Sequence, residues 1–210
     1  MSVETSTVLT DREQDIVLQL VRYLRNSGWL ASSSANKPVD GKERPIPWYT
    51  YPAIAFLAGR IKPEFSVFEF GSGNSTFWWA SRVDRVYAVE HHVRWADYMR
   101  DKLPANVTYN YEVLEADGKY SRAAASAGVD FDIIVIDGRD RVNCVKRSID
   151  SLTSSGIFVW DNSNRSRYEE GFEFLRGRSF RRLDFHGLGP INIKPWTTSI
   201  FYRGANCLGI

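Results

Sequence analysis

From Phe65 onward the chain alternates two kinds of segment, and this alternation constrains the fold more than any other feature. Short runs rich in β-branched and aromatic residues occur at Ser66–Phe70, Arg85–Glu90, residues 107–112, Phe131–Ile136 and residues 156–160. Between them lie stretches with apolar residues three and four apart. One passes through Phe77 to Ser81. The next carries Val93, Ala96, Met99 and Leu103 and is stopped by Pro104. A third covers residues 120–127, and a fourth carries Val142, Val145, Ile149 and Leu152. The first kind reads as strand and the second as amphipathic helix. Strands separated by such helices form βαβ units, so the class is α/β with a doubly wound, mostly parallel sheet. After a helix marked by Tyr168, Phe172 and Leu175 come two last strands, residues 180–185 and 197–202. Their Gly/Pro-rich link is shorter than the dozen or so residues a parallel crossover needs, which predicts an antiparallel final pair.

The N-terminal part reads differently. Thr10 followed by Glu13 is a capping box, and Ile16, Leu20 and Tyr23 begin one apolar helical face. Asn26, Ser27 and Gly28 end that helix. Residues 31–47 carry Ser, Asn, Pro and Gly without periodicity and read as loop. Residues 48–61 read as a short helix entered through Pro47 and Pro52.

A chain of 210 residues, 43% hydrophobic and 25% charged, is long enough for one domain with a core. No apolar run reaches the roughly 20 residues of a membrane span, and residues 1–10 lack a signal-peptide layout, so a cytoplasmic location is expected. The net charge of +2 is too mild to argue for nucleic acid, and the basic residues 176–182 read as a solvated helix end. Cys144 and Cys207 form no motif and are expected to be reduced thiols.

In such sheets ligands bind at the carboxyl ends of the strands, near the switch in strand order. The first strand runs into Glu69-Phe70-Gly71-Ser72-Gly73-Asn74-Ser75-Thr76. Glycines let the backbone turn sharply and approach a ligand, and the helix that follows offers free N–H groups. The second strand ends in Glu90, a carboxylate suited to a ribose diol. Together these describe a nucleoside pocket. A dinucleotide fingerprint needs a third glycine where this chain has Thr76. The acids Glu69 and Asp137 would repel a pyrophosphate but suit an ammonium group. Charge complementarity therefore favours S-adenosylmethionine over a nicotinamide dinucleotide.

The runs Val67 to Ser75, Val86 to Glu90 and Phe131 to Gly138 resemble the class I S-adenosylmethionine-dependent methyltransferases, over roughly residues 64–203. The stretch Asp137 to Arg141 and the turn Gly187 to Asn192 resemble a bacterial-type branch of them, which adds no substrate. The resemblance implies a Rossmann-like seven-stranded sheet with an antiparallel last strand. It implies a methyltransferase domain at residues 63–210 and an N-terminal helical extension or lid at residues 1–62. It places the methionine moiety on Glu69, Phe70, Gly71, Ser72, Gly73, Asn74 and Ser75, with Asp137, and the ribose on Glu90. His91 falls beside the adenosine, with Asp117 and Gly118 near the adenine.

Asp137 after the fourth strand and Asp161-Asn162 after the fifth also resemble the ligands of metal-dependent O-methyltransferases, which makes these three a candidate Mg2+ site. The alternative is that Asp137 serves the cofactor alone while Asp161 and Asn162 cap a helix. Those enzymes carry a Lys three residues after the first Asp. Here that position is Asp140, flanked by Arg139 and Arg141, so Asp137, Arg139 and Asp140 are the catalytic candidates. Residues 48–52 read equally as an aromatic lid or as ordinary packing. His186 with residues 187–190 reads as the wall of an acceptor pocket or as a turn. The expected acceptor is a small molecule, through oxygen. A nicotinamide-dependent oxidoreductase and a cofactor-binding protein without catalysis are the rival readings. The sequence leaves oligomeric state open.

Overall fold

The computed structural model describes residues 9–210. Three helices come first: α1 (Asp11–Asn26), α2 (Trp29–Ala35) and α3 (Tyr51–Ala58). Then follow β1 (Ser66–Phe70), α4 (Asn74–Ala80), β2 (Arg85–Glu90), α5 (Val93–Arg100) and β3 (Val107–Tyr111). A short 3-10 turn and α6 (Ala123–Ser126) lead to β4 (Phe131–Ile136), α7 (Arg141–Ser148) and β5 (Leu152–Trp160). The chain closes with α8 (Glu169–Arg176), β6 (Arg181–Gly187) and β7 (Trp196–Tyr202). The seven strands pair in the order β3-β2-β1-β4-β5-β7-β6. The first five are parallel, and β7 runs antiparallel to both β5 and β6. The antiparallel final pair expected from the short link is what forms.

Alternation along the strands divides the core into two layers. Phe68, Phe70, Ile134, Ile136, Phe158 and Trp160 face α7 and α8. Val67, Ile133, Val135, Ile157 and Val159 face the other way, onto Trp78, Trp79 and α3. Each such side chain, fully buried, contributes about 1.5–3 kcal/mol relative to exposure. Strand order reverses between β1 and β4, which places the switch point beside the Gly71 turn.

Three N-terminal expectations change. Residues 31–35, expected as the start of a loop, belong to α2 (Trp29–Ala35). Gly28 turns the chain with φ +83°, and the buried Ser32 hydroxyl exchanges hydrogen bonds with the Val39 carbonyl (2.8 Å) and N–H (2.9 Å). Polar composition hid a helix whose serine is satisfied by a distant segment. The helix expected over residues 48–61 is shorter, because Thr50 is extended and both Tyr49 and Thr50 are buried against the sheet. In α1 the capping box forms, with Thr10 N donating to Glu13 Oε2 at 2.7 Å. Yet none of its residues is buried, and Ile16, Leu18 and Leu20 stay more than half exposed. A fourth change is in β5, which begins at Leu152, a residue read as helical. Gly156 allows the close approach, since a Cβ there would lie 2.9 Å from the Phe131 carbonyl. Cys144 and Cys207 are both free.

Candidate functional site

The carboxyl ends of β1, β2, β4 and β5 surround a cleft of about 390 Å³, lined by Gly71, Ser72, Glu90, His91, Asp137 and Arg139 among others. Its floor is a contact between two glycines. Gly71 has φ +96°, and a Cβ on it would meet Gly138 at 3.3 Å. A Cβ on Gly138 would lie 3.1 Å from Gly71 N and 1.9 Å from the Tyr120 hydroxyl. The turn after β1 and the turn after β4 touch only because both residues lack side chains.

Glu90 ends β2 with its carboxylate held rigidly. Oε1 accepts the His91 N–H at 2.8 Å and the His92 N–H at 2.9 Å. Oε2 accepts the Ser72 hydroxyl at 2.9 Å, and Tyr109 braces that hydroxyl from β3 at 2.8 Å. An ionised carboxylate offers about four acceptor positions, so one remains on Oε2 for a ligand hydroxyl. Beside it, the His91 ring packs edge-on against Tyr120 with centroids 5.6 Å apart. Burial lowers the His91 pKa, which favours the neutral ring.

Glu69 is placed otherwise than the sequence suggested. It shares the strand face of Val67 and is 1% exposed, outside the cleft lining. Its Oε2 accepts the Thr76 hydroxyl at 2.5 Å, and Thr76 Oγ1 accepts the Gly73 N–H at 3.0 Å. Glu69 Oε2 thus clamps the glycine loop, while its buried Oε1 has no hydrogen-bond partner among the described residues. Burial raises its pKa to about 7. Thr76, noted only for not being glycine, is the link in that clamp. Phe70 is likewise a core residue, fully buried against Phe68 and Tyr120. Ser75 lines the cleft, while Gly73 and Asn74 line an adjoining cavity of about 510 Å³ that also includes Ser72, Ser75 and Asp137. The Asn74 amide donates to the Pro38 carbonyl, which ties the loop to the N-terminal segment.

At the ends of β4 and β5 stand Asp137 and Asp161, both with raised pKa. Burial is the main cause for each, and for Asp137 the charge of Asp161 adds to it. Between them lies the Arg141 guanidinium, 7% exposed. It donates to the Gly138 carbonyl (2.9 Å), the Asp137 carbonyl (2.8 Å) and Asp137 Oδ1 (3.1 Å), and to the Asp161 carbonyl. Asp161 Oδ1 turns away and accepts from Trp196 Nε1 at 2.8 Å and from the Thr198 hydroxyl at 2.6 Å. Asn162 does reach the cleft, with φ +52°.

This donor set does not fit the expected Mg2+. One carboxylate is committed to the protein interior, another is paired to a guanidinium, and the guanidinium supplies the positive charge between the strand ends. Among the described residues no three His, Cys, Asp or Glu side chains group as a metal site.

Asp140 also departs from expectation. Its Oδ2 accepts the Asp117 N–H at 2.9 Å and its Oδ1 the Asn143 amide at 2.9 Å, so it ties two turns together and does not line the cleft. The Asp117 carboxylate pairs with Arg147 and Arg122 on the surface, and neither Asp117 nor Gly118 lines the cleft. Tyr49 is fully buried, and Thr50 is bonded to Thr198 Oγ1 and the Phe185 carbonyl, so residues 49–50 are packing rather than lid. Trp48 remains 41% exposed on the adjoining cavity. Reading the sequence alone missed Tyr109, Tyr120 and Arg141. A signal for Arg141 existed, since two acids at neighbouring strand ends need a counter-charge.

No family model and no curated protein matches the chain. Solved structures do match. A putative caffeoyl-CoA O-methyltransferase from Staphylococcus aureus is 14% identical, with a TM-score of 0.58 over 92% of this chain and 100% of that one. A precorrin-6y C5,15-methyltransferase from Geobacter metallireducens is 16% identical, with a TM-score of 0.56 over 72% and 87%. A putative methyltransferase from Streptococcus mutans, in complex with SAH, is 12% identical, with a TM-score of 0.51 over 70% and 94%. At such identities the likeness shows the fold: the Rossmann-like sheet of class I methyltransferases, in which β7 is antiparallel.

Proposed function

We propose that this chain is an S-adenosylmethionine-dependent methyltransferase that modifies an oxygen of a small molecule. The observation that carries this reading is Glu90. Its carboxylate is fixed by three protein donors, keeps one acceptor position, and stands at the end of β2 on the cleft that Gly71 and Asp137 also line. That suits a ribose on one side and a cationic methionine moiety on the other. The residues present fit this cofactor. Gly71 would let backbone approach it, His91 would flank the adenosine end, and Asp137 would give negative charge at the other end.

When bound, S-adenosylmethionine supplies an electrophilic methyl group on a sulfonium and leaves as a neutral thioether. The protein's share is to hold the acceptor in line with that methyl, a source of up to about 7–11 kcal/mol in general. Asp137 is the group placed to take the acceptor's proton. Its Oδ1 is fixed by Arg141, while Oδ2 accepts no hydrogen bond from the described residues. Burial, and after it the charge of Asp161, raises its pKa above the ordinary carboxylate value. Arg139, exposed at the cleft mouth, contributes positive charge near the acceptor. No step is routed through Mg2+, because Asp137 Oδ1 is bonded to Arg141 and Asp161 Oδ1 to Trp196 and Thr198.

Calorimetric titration with S-adenosylmethionine, S-adenosylhomocysteine and NAD tests the reading. The first two are expected to bind and NAD is not. Binding of NAD alone would replace this function with an oxidoreductase. Tight binding of the first two without transfer to any member of a broad hydroxylated library would leave a binding protein.

A further inference from the structure

The cofactor cleft does not end at Asn162. A second cavity of about 400 Å³ starts there and shares Asn162 and Arg165 with it. Its other walls include Asn164, just after β5, Asn192 and Lys194 from the link between β6 and β7, and Trp196 at the start of β7. That link is anchored, because the Asn192 carbonyl accepts the Trp29 indole N–H at 3.0 Å.

The two spaces differ in their acids. The cofactor end holds Glu90 and Asp137 together with Arg139 and Arg141, and Arg165 stands where the two spaces meet. The second cavity holds Arg165 and Lys194, and no carboxylate lines it. The nearest acid by sequence, Asp161, is 3% exposed and sealed beneath the Trp196 indole that it binds. Neither Arg165 nor Lys194 has an ion-pair partner among the described residues. The Asn162 and Asn164 side chains add amide groups that can bond hydroxyls. An anionic group would meet two cations and no carboxylate in the second cavity, whereas a cation would be repelled from it.

We infer that the second cavity binds the acceptor, and that this acceptor is a hydroxylated small molecule carrying a carboxylate or phosphate held by Arg165 and Lys194. The inference rests on the methyltransferase reading for the word acceptor, but the anion site itself does not depend on it. The volume suits a molecule of sugar size. A flat neutral catechol would leave both cations without partners.

The test titrates protein saturated with S-adenosylhomocysteine with three probes on one hexose skeleton: D-glucuronate, D-glucose 6-phosphate and neutral D-glucose. At least one charged probe is expected to bind about tenfold or more tighter than glucose, the worth of one charge-assisted hydrogen bond. The better of the two distinguishes carboxylate from phosphate. Lys194→Gln and Arg165→Gln, combined in one double variant with unchanged melting temperature, are expected to remove that advantage. Equal binding of all three probes, no binding of either charged probe, or full retention in the double variant would overturn the inference. If S-adenosylhomocysteine itself fails to bind, the cofactor reading falls instead, and the same titration on protein without it still reads the anion site.

Discussion

The Arg141 Nη2 atom lies 3.1 Å from Asp137 Oδ1, so the cation between the ends of β4 and β5 is part of the chain. Arg141 also satisfies the carbonyls of Asp137, Gly138 and Asp161. Truncation would leave these buried acceptors bare and Asp137 facing Asp161 alone. Arg141→Leu is expected to cost about 3–5 kcal/mol, read from urea unfolding.

The same geometry predicts indifference to divalent metal. Adding Mg2+ or a chelator should leave the melting temperature and the S-adenosylhomocysteine affinity unchanged. A melting temperature that climbs with Mg2+ concentration would mean that Asp161 leaves Trp196 to form a site, since a ligand of the folded state stabilises by mass action.

Glu69 gives a pH signature. Its folded pKa is about 7 against an ordinary 4.5, because burial disfavours its charge. Between those values the folded state keeps a proton that the unfolded state has released. Stability from this group is therefore lost as pH rises from about 4.5 to about 7, and is level above that. Glu69→Gln should abolish the slope and stabilise the protein at pH 8 relative to pH 5 by at most about 3 kcal/mol. Urea unfolding of both proteins at the two pH values checks it, and parallel curves would refute it.

The two-glycine contact makes a steric prediction. Gly138→Ala places a Cβ 1.9 Å from the Tyr120 hydroxyl and 3.1 Å from Gly71 N. It should destabilise the fold by about 1–3 kcal/mol and weaken cofactor binding. Tyr120→Phe removes the nearer clash, so the double variant should recover part of the loss. A thermal double-mutant cycle without coupling would show that the ring does not carry the strain.

Glu90→Gln keeps an oxygen for the His91 and His92 N–H groups but removes the charge on the cleft side proposed to take the ribose. S-adenosylhomocysteine affinity should fall about tenfold by calorimetry, with little change in melting temperature.

The sheet was legible because apolar periodicity is local. Five strands alternating with amphipathic stretches leave few topologies, and the short final link predicts β7 antiparallel. Gly71 and Glu90 were legible for a related reason, since a strand's end fixes where its next residues lie. The N-terminal segment was not. Nothing near Ser32 reveals that Val39 will satisfy it, and nothing near Tyr49 shows that Thr198 and Phe185 will hold Thr50 in place.

By itself, then, the sequence determined a doubly wound sheet, its switch point, and an acid at the end of β1, β2, β4 and β5. Only the tertiary structure decided which acids face the cleft. Strand parity turns Glu69 inward to Thr76, the Trp196 indole draws Asp161 away, and Asp140 is spent on two turns. Glu90 and Asp137 are left open to a ligand. The physical reason is that a carboxylate's role depends on its nearest donors, and here those donors come from Thr76, Arg141, Trp196 and Thr198, most of them on other elements of the fold.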